Sequence, residues 1–190
     1  NFSLLRSDIK LLNKLTSDKF PNKKIKINNS NIFFKDNLGD IISIIKVDKT
    51  TLFFDDKKLS NFINLKGEVF NIPFIFNFNN RNDSSKYKEI NFNFKSLQLN
   101  IFNKSILEKK LTSGKNNISF LNSSINTKYN VKEKLIIFES NNSKLNNSQI
   151  NYTGELSINP FDLNFNVYLD DYKISKFFNP NPILVEFIKS

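Results

Sequence analysis

The chain of 190 residues contains no cysteine, histidine, methionine, tryptophan or alanine. Without cysteine and histidine there is no thiolate nucleophile, no imidazole base and no Cys/His zinc site, and no disulfide can form. These absences remove most catalytic classes. Because an initiator methionine is also missing, we expect the sequence to be a fragment of a longer protein. Its length fits one domain or a section of a repetitive one.

A pair of carboxylates, as used by glycosidases, is the catalytic option that remains. The adjacent acidic pairs in the sequence are Asp55 with Asp56 and Asp170 with Asp171. Neighbouring residues on a strand point to opposite faces, so neither doublet forms a catalytic pair by itself. We therefore predict that the chain is not an enzyme, with no catalytic residues, no metal site and no cofactor.

The chain carries a formal net charge of +10, almost all of it from lysine, because Arg6 and Arg81 are the only arginines. Nucleic-acid-binding proteins usually cluster Arg and Lys on one element, and RNA-binding sheets add an aromatic ribonucleoprotein motif. Neither feature is present. The scattered lysines indicate solvated surfaces and a composition typical of an AT-rich genome, and we predict no nucleic-acid partner.

Long hydrophobic runs are also missing. The longest apolar clusters, at residues 41–45, 135–138 and 183–185, are far shorter than the ~18 residues that a membrane-spanning helix requires. No signal peptide is recognisable. If the full protein has a membrane anchor or a leader, we expect it upstream of Asn1.

The most informative feature that is present is strict alternation of apolar with polar residues. The alternating apolar positions are Phe70, Ile72, Phe74, Phe76 and Phe78, then Ile90, Phe92 and Phe94, then Leu97, Leu99 and Ile101, and finally Phe161, Leu163, Phe165, Val167 and Leu169. Side chains on a strand alternate between faces, so each run predicts a strand with one apolar and one polar face.

The remaining pattern predicts short helices at the two ends and strands between them. Ser3 can cap a helix over residues 3–19, which Pro21 would end, and we divide the chain into an N-terminal helix or linker (1–22) and a β-rich segment (23–190). A helical turn is predicted near 57–62, another at 174–178, and a helix start at Pro182. The predicted strands cover 24–28, 31–36, 41–48, 51–55, 65–71, 73–79, 88–103, 117–131, 134–140, 144–159 and 161–170.

The alternation changes parity after Phe94. If Lys95 and Ser96 form a β-bulge, residues 88–103 make one long bent strand that keeps its apolar side chains on one face of a curved sheet. The alternative is two strands joined by a turn at 95–96. Three architectures then fit the strand pattern: a closed sandwich, a transmembrane barrel, for which the Trp and Tyr girdles are lacking, and a long open sheet that forms a groove. Composition does not decide between them.

Three segments resemble AsmA-like proteins of Gram-negative bacteria, whose relatives include TamB and YhdP. Residues 25–36 (IKINNSNIFFKD), followed by Gly39-Asp40-Ile41-Ile42, resemble the family's opening "I-x-I-x-n-g-x-I-x-f-x-D" and its "g-e-x-l" continuation. Residues 65–74 (LKGEVFNIPF) are similar to a later "l-x-G-x-f-x-x-x-p-v" segment. Residues 148–161 (SQINYTGELSINPF) resemble the "x-i-x-x-x-G-x-i-x-x-x-P-f" hairpin.

The resemblance implies a long curved antiparallel sheet that forms an open groove (a β-gutter). It implies anchoring to the inner membrane through a segment outside this chain, a periplasmic location, and transport of phospholipid towards the outer membrane as a bridge-like lipid-transfer protein. Gly67, Gly154, Pro73 and Pro160 match structural positions only. The groove residues that we predict to contact acyl chains are Phe70, Ile72, Phe74, Phe76, Phe78, Ile90, Phe92, Phe94, Leu97, Leu99, Ile101, Leu163, Phe165, Val167 and Leu169. The alternative is a closed structural or adhesin-type module with a dry core.

Overall fold

The computed structural model describes residues 19–36, 38–82, 86–146 and 148–169, which build one antiparallel sheet of eleven strands. The strands are β1 Ile25–Lys35, β2 Ile41–Asp55, β3 Ser60–Val69, β4 Ile72–Asn82, β5 Lys86–Phe94, β6 Leu99–Glu108, β7 Leu111–Phe120, β8 Ser123–Lys132, β9 Leu135–Leu145, β10 Ser148–Ile158 and β11 Phe161–Leu169. They lie in the sheet in sequence order. The prediction of a mainly β, antiparallel fold is confirmed.

The sheet is a meander of consecutive hairpins. Two-residue turns join many of the neighbouring strands, for example at residues 70–71 and 109–110. Within the described ranges, every pair of strands in extensive contact is a pair of sheet neighbours, and no second sheet packs on either face. The described strands therefore form a single layer rather than the two layers of a sandwich, with β1 and β11 at its edges.

The helices predicted over 3–19, at 174–178 and from Pro182 lie outside the described residues, except for Lys19, which belongs to no helix or strand. The helical turn predicted near 57–62 is wrong. A turn occupies residues 56–59, and β3 begins at Ser60. Asp55 explains this turn, because its Oδ1 accepts hydrogen bonds from the backbone N–H groups of Lys57 (3.0 Å) and Lys58 (3.2 Å).

The predicted bulge at Lys95 and Ser96 is also wrong. Residues Lys95–Leu97 form a short 3-10 turn, which Gln98 completes with a left-handed φ of 51°. The chain reverses there, so that β5 and β6 are separate strands and Phe94 pairs with Leu99. The parity change in the sequence marks this reversal, and the alternative of two strands with a turn is correct.

Other turns were missed because they contain no glycine. The predicted strands 117–131 and 144–159 each contain a reversal, where Leu121 and Asn146 adopt φ values of 50° and 55°. The turn between β3 and β4, which the predicted strands 65–71 and 73–79 did anticipate, also lacks glycine and has Phe70 and Asn71 at positive φ. Such turns usually contain Gly or Asn-Gly, and a chain with four glycines gives little of that signal.

Two predicted breaks are instead irregularities inside continuous strands. The gap between predicted strands 24–28 and 31–36 lies within β1, where Asn29 has a φ of 49°. The gap between predicted strands 41–48 and 51–55 is a bulge at Asp48, where the pairing of β2 with β3 shifts by one residue. Because a bulge changes the alternation, Val47 and Thr50 project from the same side of the sheet.

The pairing register divides the sheet into two faces, because residues opposite each other in an antiparallel pair project from the same side. The side that we call the apolar face carries a row formed by Ile27, Thr50, Leu65, Phe76, Phe92, Ile101, Ile118, Ile125, Ser143, Ile150 and Leu169. The opposite side, the polar face, carries a row formed by Thr51, Asn64, Asn77, Asn91, Phe102, Asn117 and Asn126.

Burial is concentrated on the apolar face. The side chains buried there are Val47, Thr50, Asn61, Phe74, Phe78, Asn80, Ser140, Ser143 and Tyr152. Ser60 is buried on the polar face. A single layer leaves both faces of a flat sheet equally accessible, so this asymmetry means that the apolar side chains cover one another more closely than the polar ones do.

Candidate functional site

The register places most of the predicted groove residues on the apolar face. Those on this face are Ile72, Phe74, Phe76, Phe78, Ile90, Phe92, Phe94, Leu99, Ile101, Leu163, Phe165, Val167 and Leu169. Phe70 and Leu97 are corrections. Phe70 is a turn residue that is 67% exposed, and Leu97 ends the 3-10 turn, so neither belongs to a strand face.

A phenylalanine cluster occupies β4 and β5 on the apolar face. The ring centroids of Phe76 and Phe92 are 4.5 Å apart, and those of Phe74 and Phe94 are 5.7 Å apart. Phe92 and Phe94 stack at 6.3 Å along the same strand. Cross-strand aromatic pairs at these distances stabilise the hairpin beyond their area burial, and here they form a continuous hydrocarbon surface.

A second aromatic cluster lies across β9, β10 and β11. The rings of Phe138, Tyr152 and Phe165 surround Gly154, with centroid separations of 5.6 to 6.3 Å. A Cβ at Gly154 would lie 2.4 Å from the Phe138 ring and 2.7 Å from the backbone oxygen of Asn164. Because Gly154 has no side chain, the Phe138 ring can lie next to its Cα, and a residue with a Cβ does not fit there without a shift of its neighbours.

The glycines and prolines of the three resembling segments lie in strands or next to them. Gly67 lies in β3 and Gly154 in β10, Pro73 is the second residue of β4, and Pro160 directly precedes β11. A Cβ at Gly67 would lie 2.3 Å from the backbone oxygen of Lys46, beside the Asp48 bulge. These placements concern the backbone only.

Sequence reasoning missed the part of the apolar face outside the strongly alternating runs. On β1 the face carries Ile25, Ile27, Ile32 and Phe34, and on β7 and β8 it carries Ile118, Phe120, Ile125, Tyr129 and Val131. The signal in β1 was broken by Asn29, and in β7 and β8 Ser, Thr, Asn and Gly occupy part of the face. Only the register reveals that these residues continue the same surface.

Polar side chains on the apolar face are hydrogen-bonded to one another. The hydroxyls of Ser140 and Ser143 lie 2.6 Å apart, and those of Thr127 and Tyr152 lie 2.5 Å apart. The Nδ2 of Asn103 donates to the Tyr129 hydroxyl at 2.9 Å. Because these polar groups are hydrogen-bonded to each other, burying them on the apolar face costs less free energy than burying unpaired groups would.

The apolar face is most accessible at the two edges of the sheet. On β1 the exposed fractions include 41% for Ile27 and 50% for Phe34, and on β11 they include 50% for Phe165 and 63% for Phe161. On the inner strand β4, Phe78 is only 4% exposed. Contiguous exposed apolar surface of this kind is typical of sites that bind apolar ligands, membranes or proteins.

The polar face has a different chemistry. Asn64 donates to Asn77, and Asn117 donates to Asn126, which gives amide pairs between neighbouring strands. The Nζ of Lys46 lies 2.9 Å from the Oε1 of Glu68. On β5, burial raises the pKa of Tyr87 to about 12, and the hydrogen bond that its hydroxyl donates to Glu89 adds to this effect.

A wide depression of about 770 Å³ opens on the polar face between β6 and β11. Charged residues of both signs line it, with Lys104, Lys115 and Lys128 side by side on β6 to β8 and Glu139 next to them on β9. A twisted sheet is saddle-shaped and can be concave on either face along one diagonal. The mixed, exposed charges fit a solvated surface better than a specific site.

The described acidic pair has structural partners. Asp55 caps the turn after β2, and Asp56 accepts a hydrogen bond from Asn22 Nδ2 at 2.6 Å. Asp170 and Asp171 lie outside the described residues. In the ranges that the structure covers, no group of three or more acidic side chains is arranged to hold a metal ion, and no helix is long and apolar enough to cross a membrane.

Comparisons with known proteins add no assignment. A scan against protein-family models, a search of curated proteins and a search of solved structures each found no match to this chain. The chemistry of the two faces is therefore the basis for a functional hypothesis.

Proposed function

We propose that the chain is a non-enzymatic envelope protein whose apolar face is the floor of an open groove for the acyl chains of phospholipids. The observation that carries this proposal is one apolar surface running across all eleven strands, with its buried side chains on inner strands and its most exposed ones on the two edge strands. A structural module with a dry core needs a second layer over such a face, and the described strands provide none.

The energetics suit a transient apolar ligand. Each CH₂ group removed from water contributes about 0.8 kcal/mol, so a long tail is held by many small, non-directional contacts. Phenylalanine, isoleucine and leucine provide these contacts without fixing the tail at one place. A tail on the apolar face can therefore slide between equivalent positions while its headgroup stays in water.

The concave shape of the groove is part of the proposal. Side chains such as Phe74 and Phe78 are 6% and 4% exposed although no second sheet covers them within the described ranges. Curvature of the sheet towards its apolar face would produce this crowding. The resemblance to AsmA-like proteins supports the same arrangement and, with it, a periplasmic location, an inner-membrane anchor outside this chain, and a role in phospholipid transport for outer-membrane biogenesis.

The test is recovery of bound lipid. The purified protein from a membrane extract should carry phospholipid, measured by mass spectrometry per mole of folded protein. Phe76→Asp or Phe94→Asp should reduce recovery several-fold, because a carboxylate would have to be desolvated against the tail. The matched variants Asn77→Asp and Asn93→Asp place the same charge on the polar face and should leave recovery unchanged. Equal recovery from both pairs, or no lipid on the unmodified protein, would count against the groove.

A further inference from the structure

Lysines are the exception on the otherwise uncharged apolar face. Among the described strand residues that have a partner in the register, Lys86 and Lys88, both on β5, are the only charged side chains on this face. No aspartate or glutamate with a register partner projects from that side, and Asp48 lies at the bulge of β2 without one. Lys86 is exposed at the start of β5, whereas Lys88 lies further in and is partly buried.

Lys88 belongs to a small polar patch. It pairs with Asn80 on β4 and with Ser105 on β6, and Asn61 lies beyond Asn80 on β3. Asn61 and Asn80 are only 2% and 6% exposed. We call these four residues, Asn61, Asn80, Lys88 and Ser105, the polar patch. It lies towards the end of the apolar face at which β5 begins.

The phenylalanine cluster starts directly beside this patch. Ile90, Phe92 and Phe94 follow Lys88 on the same face of β5, and Phe78 and Phe76 lie next to them on β4. At about 3.3 Å per residue, Lys88 and Phe94 are about 20 Å apart along the strand. That length is comparable with the ~15 Å that one leaflet contributes to the hydrocarbon core of a bilayer. A cationic end and an apolar tract of this length match a single extended amphiphile.

We propose that the polar patch binds the anionic headgroup, a carboxylate or a phosphate, of an amphiphile whose tail lies along Phe76, Phe92 and Phe94. This inference rests on the proposed function and specifies its ligand. The Lys88 ammonium supplies a compact charge with three donors, and the Asn80 amide and Ser105 hydroxyl add hydrogen-bonding groups. Because the register assigns no acidic side chain to this face among the described residues, the face offers no opposite charge to a cationic headgroup.

The surroundings of Lys88 favour an anion. Burial lowers the pKa of Lys88, since the charged ammonium is poorly solvated on this face. An anionic headgroup next to the ammonium would stabilise the charged form and would be held more strongly than in water. A neutral headgroup would gain only ordinary hydrogen bonds from the same residues.

The test compares two ligands with the same tail. Palmitate and hexadecanol are titrated against the full chain at concentrations where both are monomeric, by displacement of a fluorescent fatty-acid probe. Palmitate should bind about tenfold more tightly than hexadecanol. Lys88→Gln should reduce this advantage to twofold or less without changing hexadecanol binding. The control Lys115→Gln removes the same charge from the exposed polar face and should keep the advantage.

The possible outcomes are distinct. Equal affinity of the unmodified protein for the two ligands would overturn the headgroup site and leave the groove intact, and so would a tenfold advantage that persists in Lys88→Gln. Failure of both ligands to bind the unmodified protein would overturn the groove itself. If Lys88→Gln binds neither ligand, Lys88→Arg decides: an advantage near tenfold supports the site, and its loss contradicts it. Titration of hexadecyl phosphate distinguishes the two anionic headgroups. If it binds more tightly than palmitate, the site favours a phosphate headgroup of the phospholipid type, and if it binds more weakly, the site favours the carboxylate of a fatty acid.

Discussion

The two faces of this sheet are built from the same strands, yet they differ in almost every physical property. The paired positions of the apolar face carry two charged side chains, both on β5, whereas the polar face carries Lys, Arg, Asp and Glu on strands from β1 to β11. Most aromatic pairs lie on the first face, whereas the second has amide pairs, the Lys46–Glu68 ion pair and the stacked rings of Phe53 and Phe62. The difference shows that burial is concentrated on one side of the sheet.

The difference between the faces predicts that the same introduced charge destabilises the protein strongly at one position of β5 and hardly at all at the next. Phe92→Asp should lower the free energy of unfolding by roughly 3–5 kcal/mol, because it removes the ring contacts to Phe76 and Phe94 and buries a carboxylate. Asn93→Asp, one residue further on β5 and on the polar face, should change it by less than about 1 kcal/mol. Urea denaturation of both variants measures the difference. Similar losses would mean that the faces are not distinct.

Adding a side chain at Gly154 should have the next largest effect on the free energy of unfolding. Gly154→Val adds atoms where the Phe138 ring and the Asn164 backbone oxygen already lie, and it should cost about 2–3 kcal/mol through overpacking. Thr153→Val, the neighbouring position on the polar face of β10, should be within about 0.5 kcal/mol of the unmodified protein. Thermal and urea unfolding check both. A neutral Gly154→Val would show that Phe138 does not need this space.

Removing one buried hydroxyl should have a moderate effect. Ser143 is fully buried, accepts a hydrogen bond from the backbone N–H of Asn126 at 2.8 Å and contacts the Ser140 hydroxyl. Ser143→Ala should therefore lower the free energy of unfolding by about 1–2 kcal/mol, as unpaired buried groups remain. The control Ser113→Ala removes an exposed hydroxyl that donates to Asn130 and should cost about 0.5 kcal/mol or less. Equal costs, measured in urea, would contradict the difference in burial.

The smallest effect is expected at the ion pair on the polar face. Glu68→Gln removes the contact with Lys46 and should cost only about 0.2–1 kcal/mol, because both groups are solvated. The loss should shrink further in high salt, where the unmodified protein gains little from the pair. A cost above 2 kcal/mol that is independent of salt would show that the polar face also stabilises the sheet.

The alternation in the sequence predicted the faces well where it was strict. Phe74, Phe76 and Phe78 on β4 and Phe165 on β11 lie on the expected side because side chains on a regular strand must alternate. The alternation does not indicate which residues of neighbouring strands pair with each other. Register depends on turns, and these were hidden because non-glycine residues such as Gln98 and Leu121 occupy left-handed conformations.

The parts of the apolar face where the alternation is weak could not be predicted from the sequence for a related reason. β7, with the sequence LTSGKNNISF, places Gly114 and Asn116 on the apolar face, so its pattern does not indicate a half-buried strand. The register places both residues opposite Tyr129 and Thr127 of β8, and Tyr129 covers Gly114. The position of Lys88 on the apolar face was likewise not recognised, because it depends on the pairing of β5 with β4 and β6.

The most direct test of the central claim is a residue-by-residue measurement of lipid contact along β5. Because the chain has no cysteine, single substitutions to cysteine at positions 90 to 94 can each be labelled with one fluorophore. Quenching by a nitroxide-labelled fatty acid then reports proximity to the tail. We expect strong quenching of the label at the positions of Ile90, Phe92 and Phe94, and little quenching at those of Asn91 and Asn93. Uniform quenching along the strand, or none at any position, would contradict an acyl-chain groove on the apolar face.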